Sequence, residues 1–201
     1  KEGKPLCYID THAGAGSYAL GSTFASKNRE FDNGIARLWQ RADLPPPLQS
    51  YVSLVRGFNP GGKLLQYPGS PAIAAKILHA NHRLHLCELH PADGNRLERW
   101  VGRDRRIKVQ QHDGFVALKA LLPPLEKRAL VMIDPPYEIK TDYAMVVSAL
   151  QLAIRKFATG VYALWYPLLA REAVSTLVKK LEAMPVQSLL VELPVQAAAG
   201  E

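Results

Sequence analysis

Four consecutive residues carry the clearest chemical signal in this sequence, Asp134-Pro135-Pro136-Tyr137. They follow the fully apolar run 129–133, where two prolines are costly to a sheet because they supply no backbone donors. An exocyclic amine on a base is a poor nucleophile, since its lone pair is delocalised into the ring. Asp134 and the carbonyl of Pro135 can accept the hydrogens of such an amine and draw its nitrogen toward tetrahedral geometry. Tyr137 offers a face on which an extruded base can stack, so these residues predict chemistry at a base amine.

Acidic residues also lie at the ends of three other predicted strands, at Asp10, Glu88 and Asp113. In a doubly wound parallel sheet the ligand lies outside the carboxyl ends of the strands. One acid at such a position is unremarkable, because Asp caps a following helix well. Together with Asp134, four acids at one edge of the sheet predict a ligand-binding constellation.

A glycine-rich turn follows the first of these acids, in the run Asp10-Thr-His-Ala-Gly14-Ala-Gly16. Gly14 to Ala19 satisfies the G-x-G-x-x-A fingerprint of dinucleotide sites, which expects an acid about 20 residues further on. Glu88 is the next strand-end acid and lies more than 70 residues away. An acid four positions before the first glycine suits a methyltransferase better, because Asp10 can hold the ammonium group of S-adenosylmethionine. A purely structural turn is the alternative.

The other two acids each have a functional and a structural interpretation. Glu88 can accept hydrogen bonds from both ribose hydroxyls of a nucleoside, or it can cap the helix that begins near Pro91. Asp113 can accept from an adenine amino group, or it can cap the helix beginning at Phe115. Both alternatives stay open at this point.

The elements that position these residues alternate between strand and helix. Strands are predicted at 6–10, 83–89, 107–111, 129–134, 161–166 and 188–193, and helices at 34–41, 48–58, 70–79, 92–101, 115–121, 142–157 and 170–183. Ser70 is predicted as an N-cap with proline in the first turn. The alternation predicts an α/β fold with a mostly parallel, doubly wound sheet. The region from about 25 to 69 is too long for a crossover and predicts an inserted helical subdomain.

The bulk properties place weaker bounds on function. A net charge of +7 favours a polyanionic partner, and six cations crowd into thirteen positions, namely Arg96, Arg99, Arg103, Arg105, Arg106 and Lys108. A phosphate track and a solvated helix face explain that run equally well. No apolar window is long enough to cross a membrane, and the histidines show no metal-site spacing. Cys7 and Cys87 are predicted as buried free thiols in a reducing cytoplasm.

The resemblance to a known family rests on motifs spread in order over nearly the whole chain. They are residues 8–16 (YIDTHAGAG), 67–71 (YPGSP), 88–91 (ELHP), 112–114 (HDG), 133–138 (IDPPYE), 140–143 (KTDY) and 163–167 (ALWYP). This set resembles the RlmJ (YhiR) family of bacterial methyltransferases, which act on adenine N6 in 23S ribosomal RNA. The resemblance implies a class I, Rossmann-like methyltransferase fold with an inserted helical subdomain. It also implies that S-adenosylmethionine contacts His12, Ser70, Glu88, Asp113 and Gly114, and that Asp134 is the catalytic acceptor.

The same resemblance implies the setting in which the protein works. It implies action on large-subunit ribosomal RNA. Apart from the resemblance, we expect a cytoplasmic monomer that needs neither a metal nor a membrane. The resemblance further implies that residues 1–201 form one methyltransferase domain truncated at both ends, since the family's His-rich first segment and final strand are absent. The alternatives are an amino-methyltransferase acting on DNA and a nucleic-acid-binding protein linked to the use of external DNA. The intact motif at Asp134 favours the enzyme over the binding protein.

Overall fold

The structure, a computed structural model, describes residues 3–21, 30–138, 141–168 and 171–193. Its strands are β1 (Cys7–Asp10), β2 (Ser17–Ala19), β3 (Gln66–Pro68), β4 (Arg83–Cys87), β5 (Ile107–Gln110), β6 (Ala129–Ile133) and β7 (Val161–Leu164). Its helices are α1 (Glu30–Asn33), α2 (Ile35–Trp39), α3 (Pro46–Arg56), α4 (Ser70–Ile77), α5 (Pro91–Val101), α6 (Gly114–Leu121), α7 (Thr141–Lys156) and α8 (Arg171–Glu182). None of these helices is long and apolar enough to cross a membrane.

Five strands form a wholly parallel sheet in the order β5-β4-β1-β6-β7. The strand β6 is apolar along its length, as expected where helices cover both faces of a sheet of this kind. On one face, Ile9 and Val131 pack in a cluster with residues of α6, α7 and α8. On the other face, Leu84 and Leu86 pack in a cluster with residues of α4 and α5. The predicted α/β class and parallel sheet are confirmed.

Between β2 and β3 the described residues form three helices, α1 to α3, which have a small core of their own. Ile35, Trp39, Val52 and Val55 are buried there. The indole of Trp39 donates to the carbonyl oxygen of Gly62 at 3.1 Å. The antiparallel pair β2–β3 joins this helical unit to the glycine loop, because Gly69 N donates to Gly16 O at 2.9 Å. Residues 25–29 of the predicted insert lie outside the described residues, as does residue 170 of the last predicted helix.

Two local predictions are wrong. Residues 188–193 form no strand, and Leu189, Val191 and Leu193 of their alternating pattern are 89%, 77% and 81% exposed. An alternating pattern makes a strand only where a partner supplies hydrogen bonds, and within the described ranges β7 pairs only with β6. Gly69, rather than Ser70, is the N-cap of α4. Ser70 is the first helical residue, and its hydroxyl donates a hydrogen bond to the carboxylate of Asp10 instead of capping the helix.

The basic run along α5 and β5 is partly engaged in local structure. Arg96 pairs with Asp93 at 3.1 Å, and Arg106 pairs with Asp104 at 2.6 Å. The guanidinium of Arg106 also donates to carbonyls at the end of α4, among them Ala75 O at 3.1 Å. These contacts satisfy free carbonyl groups at a helix C-terminus. They favour a structural and solvated role for this part of the run over a phosphate track.

Candidate active site

The topology places the candidate site where the strand order reverses. From β1 the chain adds β4 and β5 on one side and then β6 and β7 on the other. A crevice opens at the carboxyl ends of the strands at such a point. The structure has a cleft of about 750 Å³ there, a volume typical of ligand sites, lined among others by His12, Gly14, Glu88, Asp113, Gly114 and Asp134.

The loop after β1 is fastened to both neighbouring strands. Thr11 N donates to Met132 O of β6 at 3.1 Å, and Ala13 N donates to Cys87 O of β4 at 2.9 Å. Gly14 follows with a φ of +60°, a backbone conformation that favours glycine. Its N–H donates to Glu88 Oε2 at 2.8 Å. The glycine turn is therefore held in position by the strand-end carboxylate of β4.

Asp10 lies beneath this loop rather than on the cleft. It is fully buried and accepts hydrogen bonds from the Tyr8 hydroxyl at 2.8 Å and from His12 N at 3.3 Å. Burial raises its pKa, while the Ser70 hydroxyl, the Tyr8 hydroxyl and His12 N oppose that rise. The structure thus does not bring Asp10 or Ser70 to the cleft lining with the other predicted ligands. Their contacts support the loop from below.

Glu88 and Asp113 each accept hydrogen bonds from nearby backbone N–H groups and still have acceptor capacity for a ligand. The capping role and the ligand-binding role that the sequence left open are therefore compatible. Glu88 uses one oxygen for Gly14 N and the other for His90 N, at 2.8 Å and 2.7 Å. Each carboxylate oxygen can accept a second bond, so ribose hydroxyls remain possible partners. Asp113 caps α6 through Oδ1, which accepts from Phe115 N at 2.8 Å. Among the described residues none bonds its Oδ2, which leaves that atom for a ligand.

The backbones of Gly114 and Thr11 touch at the base of the cleft. A Cβ built on Gly114 would lie 2.0 Å from Thr11 O. No side chain fits at this position, so glycine is required by the close approach of two backbone segments. This contact brings the loop after β1 and the start of α6 together as one cleft wall.

The Asp134 motif lies across the cleft from these groups. Asp134 opens onto the cleft, and desolvation followed by repulsion from Asp10 raises its pKa to about 6. Pro135 is buried behind it. Tyr137 has a φ of +55°, a strained conformation for a residue with a side chain. Such strain persists only where surrounding contacts hold it.

Aromatic contacts hold Tyr137 in this conformation. Its hydroxyl donates to Trp165 O at 2.8 Å, and its ring centroid lies 4.7 Å from that of Tyr143. The Trp165 ring, whose centroid lies 6.5 Å from that of Tyr137, is half exposed. Tyr143 was not predicted from the sequence as a partner of Tyr137, because their spacing in the chain does not signal a ring contact.

The comparisons with known proteins agree with this geometry. The family described as ribosomal RNA large subunit methyltransferase D, RlmJ, matches residues 3–200. The chain belongs to the RlmJ family.

Individual relatives show how much of the chain is shared. It is 48% identical over 193 residues to ribosomal RNA large subunit methyltransferase J of Escherichia coli K12, which covers 96% of this chain and 69% of that protein. It is 44% identical over 195 residues to the protein of the same name from Haemophilus influenzae, with the same coverage. A crystal structure of a Legionella pneumophila protein superposes with a TM-score of 0.83 at 38% identity. That match covers 89% of this chain and 66% of the other.

The match to the RlmJ family confirms the resemblance carried by the motifs. In this RlmJ protein the structure brings His12, Gly14, Glu88, Asp113, Gly114 and Asp134 around one cleft. Pro135 lines the same cleft, whereas Tyr137 is not one of its lining residues and contacts the Tyr143 and Trp165 rings. The roles of these residues toward a cofactor or a base stay predictions.

The ionisation of Asp134 should make the rate of methyl transfer depend on pH. We expect kcat/KM for methyl transfer to fall below a midpoint near pH 6, because Asp134 then gains a proton and loses an acceptor for the amine hydrogens. Because the pKa of Asp134 is raised, kcat/KM should fall at a higher pH than it would with an aspartate of ordinary pKa. Rates at subsaturating RNA, measured from about pH 4.5 to pH 8, test it. A profile that stays flat to the lower limit would contradict it.

Proposed function

We propose that this protein transfers the methyl group of S-adenosylmethionine to N6 of an adenine in 23S ribosomal RNA. The observation that carries the proposal is the position of Asp134-Pro135. It lies at the strand-order reversal and opens onto a cleft whose other wall offers Glu88 and Asp113. The relatives named ribosomal RNA large subunit methyltransferase J support the substrate class. A cytoplasmic monomer working without a metal belongs to the same proposal.

The cleft has a donor and acceptor set that suits this cofactor. Glu88 can accept from the ribose hydroxyls, and Asp113 Oδ2 can accept from the adenine amino group. His12 and Gly114 line the space beside them. When bound, S-adenosylmethionine supplies an electrophilic methyl group. The protein has to hold and orient that group while it excludes water.

The acceptors at the Asp134 motif activate the base. The carboxylate of Asp134 and the carbonyl of Pro135 are acceptors on adjacent residues, and a primary amine has two hydrogens to donate. Accepting both hydrogens turns the nitrogen lone pair out of the ring and toward the methyl donor. With the donor bound, the N–C bond would form as the methyl–sulfur bond breaks, and S-adenosylhomocysteine would leave as a neutral thioether. The positive charge would pass from sulfur to the nitrogen, and Asp134 would take up the proton that the nitrogen then releases. Burial of Pro135 keeps this backbone fixed while the charge develops.

Tyr137 should act through its ring rather than its hydroxyl. We expect Tyr137→Ala to lower kcat/KM by about a hundredfold, since base stacking contributes roughly 1–3 kcal/mol and the ring also supports Trp165. Tyr137→Phe keeps the ring, loses the bond to Trp165 O, and should change kcat/KM only a few fold. Steady-state kinetics on RNA substrate compare the two. Equal losses in both variants would show that the hydroxyl matters more than the stack.

The substrate assignment has its own experiment. Full-length protein is incubated with methyl-labelled donor and unmodified 23S RNA, and labelled nucleosides are separated after digestion. N6-methyladenosine is the expected product. Duplex DNA of mixed sequence and assembled large subunits are run in parallel. Label in DNA alone would assign an amino-methyltransferase of DNA, and no label under conditions where a control methyltransferase works would overturn the proposal.

A further inference from the structure

Thr11 is a buried polar residue that links the two halves of the candidate site. It is 1% exposed and lies between the end of β1 and the glycine loop. Its hydroxyl donates to Met132 O of β6 at 3.1 Å, two residues before Asp134. The same oxygen lies 2.8 Å from His12 Nδ1. The hydroxyl therefore joins the strand that leads to the catalytic motif with a histidine that lines the cleft.

These two contacts determine where the hydrogen on His12 sits. Both contacts are hydrogen bonds at once only if Thr11 gives its single hydroxyl hydrogen to Met132 O, because a carbonyl oxygen can only accept. What Thr11 presents to His12 is a lone pair, and the hydrogen between Oγ1 and Nδ1 must belong to the imidazole. A neutral imidazole has only one N–H. Nε2 of His12 then has a free lone pair and is an acceptor.

The surroundings of His12 keep its ring neutral and favour a cation beside it. Burial lowers the pKa of His12 to about 4, although Asp113 and Asp142 act in the opposite direction. Phe115 packs edge-on against the ring with centroids 4.9 Å apart and limits its rotation. Among the described residues, the charged groups that act on the ring, Asp113 and Asp142, are both acidic, and their field attracts positive charge to this part of the cleft.

We propose that Thr11 is a positioning residue that holds His12 in its Nδ1-protonated tautomer, so that Nε2 accepts a hydrogen bond from the α-ammonium of S-adenosylmethionine. This inference rests on the proposed function for the identity of the ligand. The ammonium is the cofactor's charged hydrogen-bond donor, and a neutral Nε2 acceptor suits it. The carboxylate of the cofactor is an acceptor and cannot pair with Nε2 in this tautomer. His12 thereby discriminates between the two ends of the amino-acid moiety.

The tautomer is measurable in the free protein without any ligand. Two-bond ¹H–¹⁵N correlations distinguish Nδ1–H from Nε2–H, and the His12 signals are assigned by their absence from His12→Gln. We expect Nδ1–H in the wild type and in Thr11→Ser, which keeps the hydroxyl. Thr11→Val removes the acceptor of the Nδ1 hydrogen, and we expect a shift toward Nε2–H. Nε2–H in the wild-type protein would overturn the proposal, whether or not Thr11→Val folds.

Calorimetry then tests the ligand with a matched pair of compounds. We expect Thr11→Val to weaken S-adenosylhomocysteine binding about tenfold, the size of one charge-assisted hydrogen bond. Binding of the analogue that lacks the α-amino group should not change, and Thr11→Ser should restore affinity. Equal losses for both compounds would reduce Thr11 to a packing role. If wild-type protein binds neither compound, the proposed function fails, while the tautomer assignment stands or falls on the spectra.

Discussion

Replacing Asp134 with alanine should lower kcat by about a thousandfold while the Kd for S-adenosylhomocysteine changes by less than about threefold. The variant removes the carboxylate that is proposed to accept the amine hydrogen and to take up the proton. The cofactor contacts proposed for Glu88 and Asp113 lie on the other wall of the cleft and stay intact. Single-turnover rates on 23S RNA and calorimetry with S-adenosylhomocysteine give the two quantities separately.

Two further variants sharpen the interpretation of this loss. Asp134→Asn keeps one carbonyl acceptor and should lose less activity than Asp134→Ala, and its rate should no longer fall near pH 6. Glu98→Gln removes a charge from the exposed side of α5 and should match the wild type, which controls for a general charge effect. A comparable loss of cofactor affinity in Asp134→Ala would mean that Asp134 binds the cofactor rather than activating the base.

Adding one methyl group at Gly114 should destabilise the fold and weaken cofactor binding. In Gly114→Ala the new Cβ would lie 2.0 Å from Thr11 O, and that neighbour is backbone, which has no rotamer with which to move aside. Overpacking of this kind costs about 3 kcal/mol. For a protein of this size we expect Tm to fall by about 10 °C. Thermal unfolding followed by circular dichroism measures the shift.

The control for this prediction is another glycine. A Cβ on Gly61 meets no atom within 4 Å, so Gly61→Ala should leave Tm within about 1 °C of the wild type. Binding of S-adenosylhomocysteine is measured on both variants below their unfolding transitions. Gly114→Ala should bind at least about tenfold more weakly, because the wall formed by Thr11 and α6 has to open. A Gly114→Ala variant as stable as Gly61→Ala would refute the steric argument.

The placement of the candidate site follows from patterns that are local in the sequence. Buried parallel strands are short apolar runs, and the acid that ends each run is visible beside it, as at Glu88 and Asp134. Because every strand of a parallel sheet presents its carboxyl end at one edge, these separate acids had to meet. The motif at 134–137 is equally local, since its chemistry resides in adjacent residues.

The contacts that give each residue its role are not local, and only the tertiary structure decided them. Asp10 and Ser70 were predicted to contact the cofactor, yet they meet beneath the loop, 60 positions apart in the chain. Ring contacts with Tyr143 and Trp165 hold the strained Tyr137. The strand predicted at 188–193 lacks a partner among the described strands, and a strand cannot form from its own pattern alone. The amino-acid sequence by itself determined which chemical groups reach the edge of the sheet. Packing decided which of them face the cleft, because burial depends on neighbours that are distant in the chain.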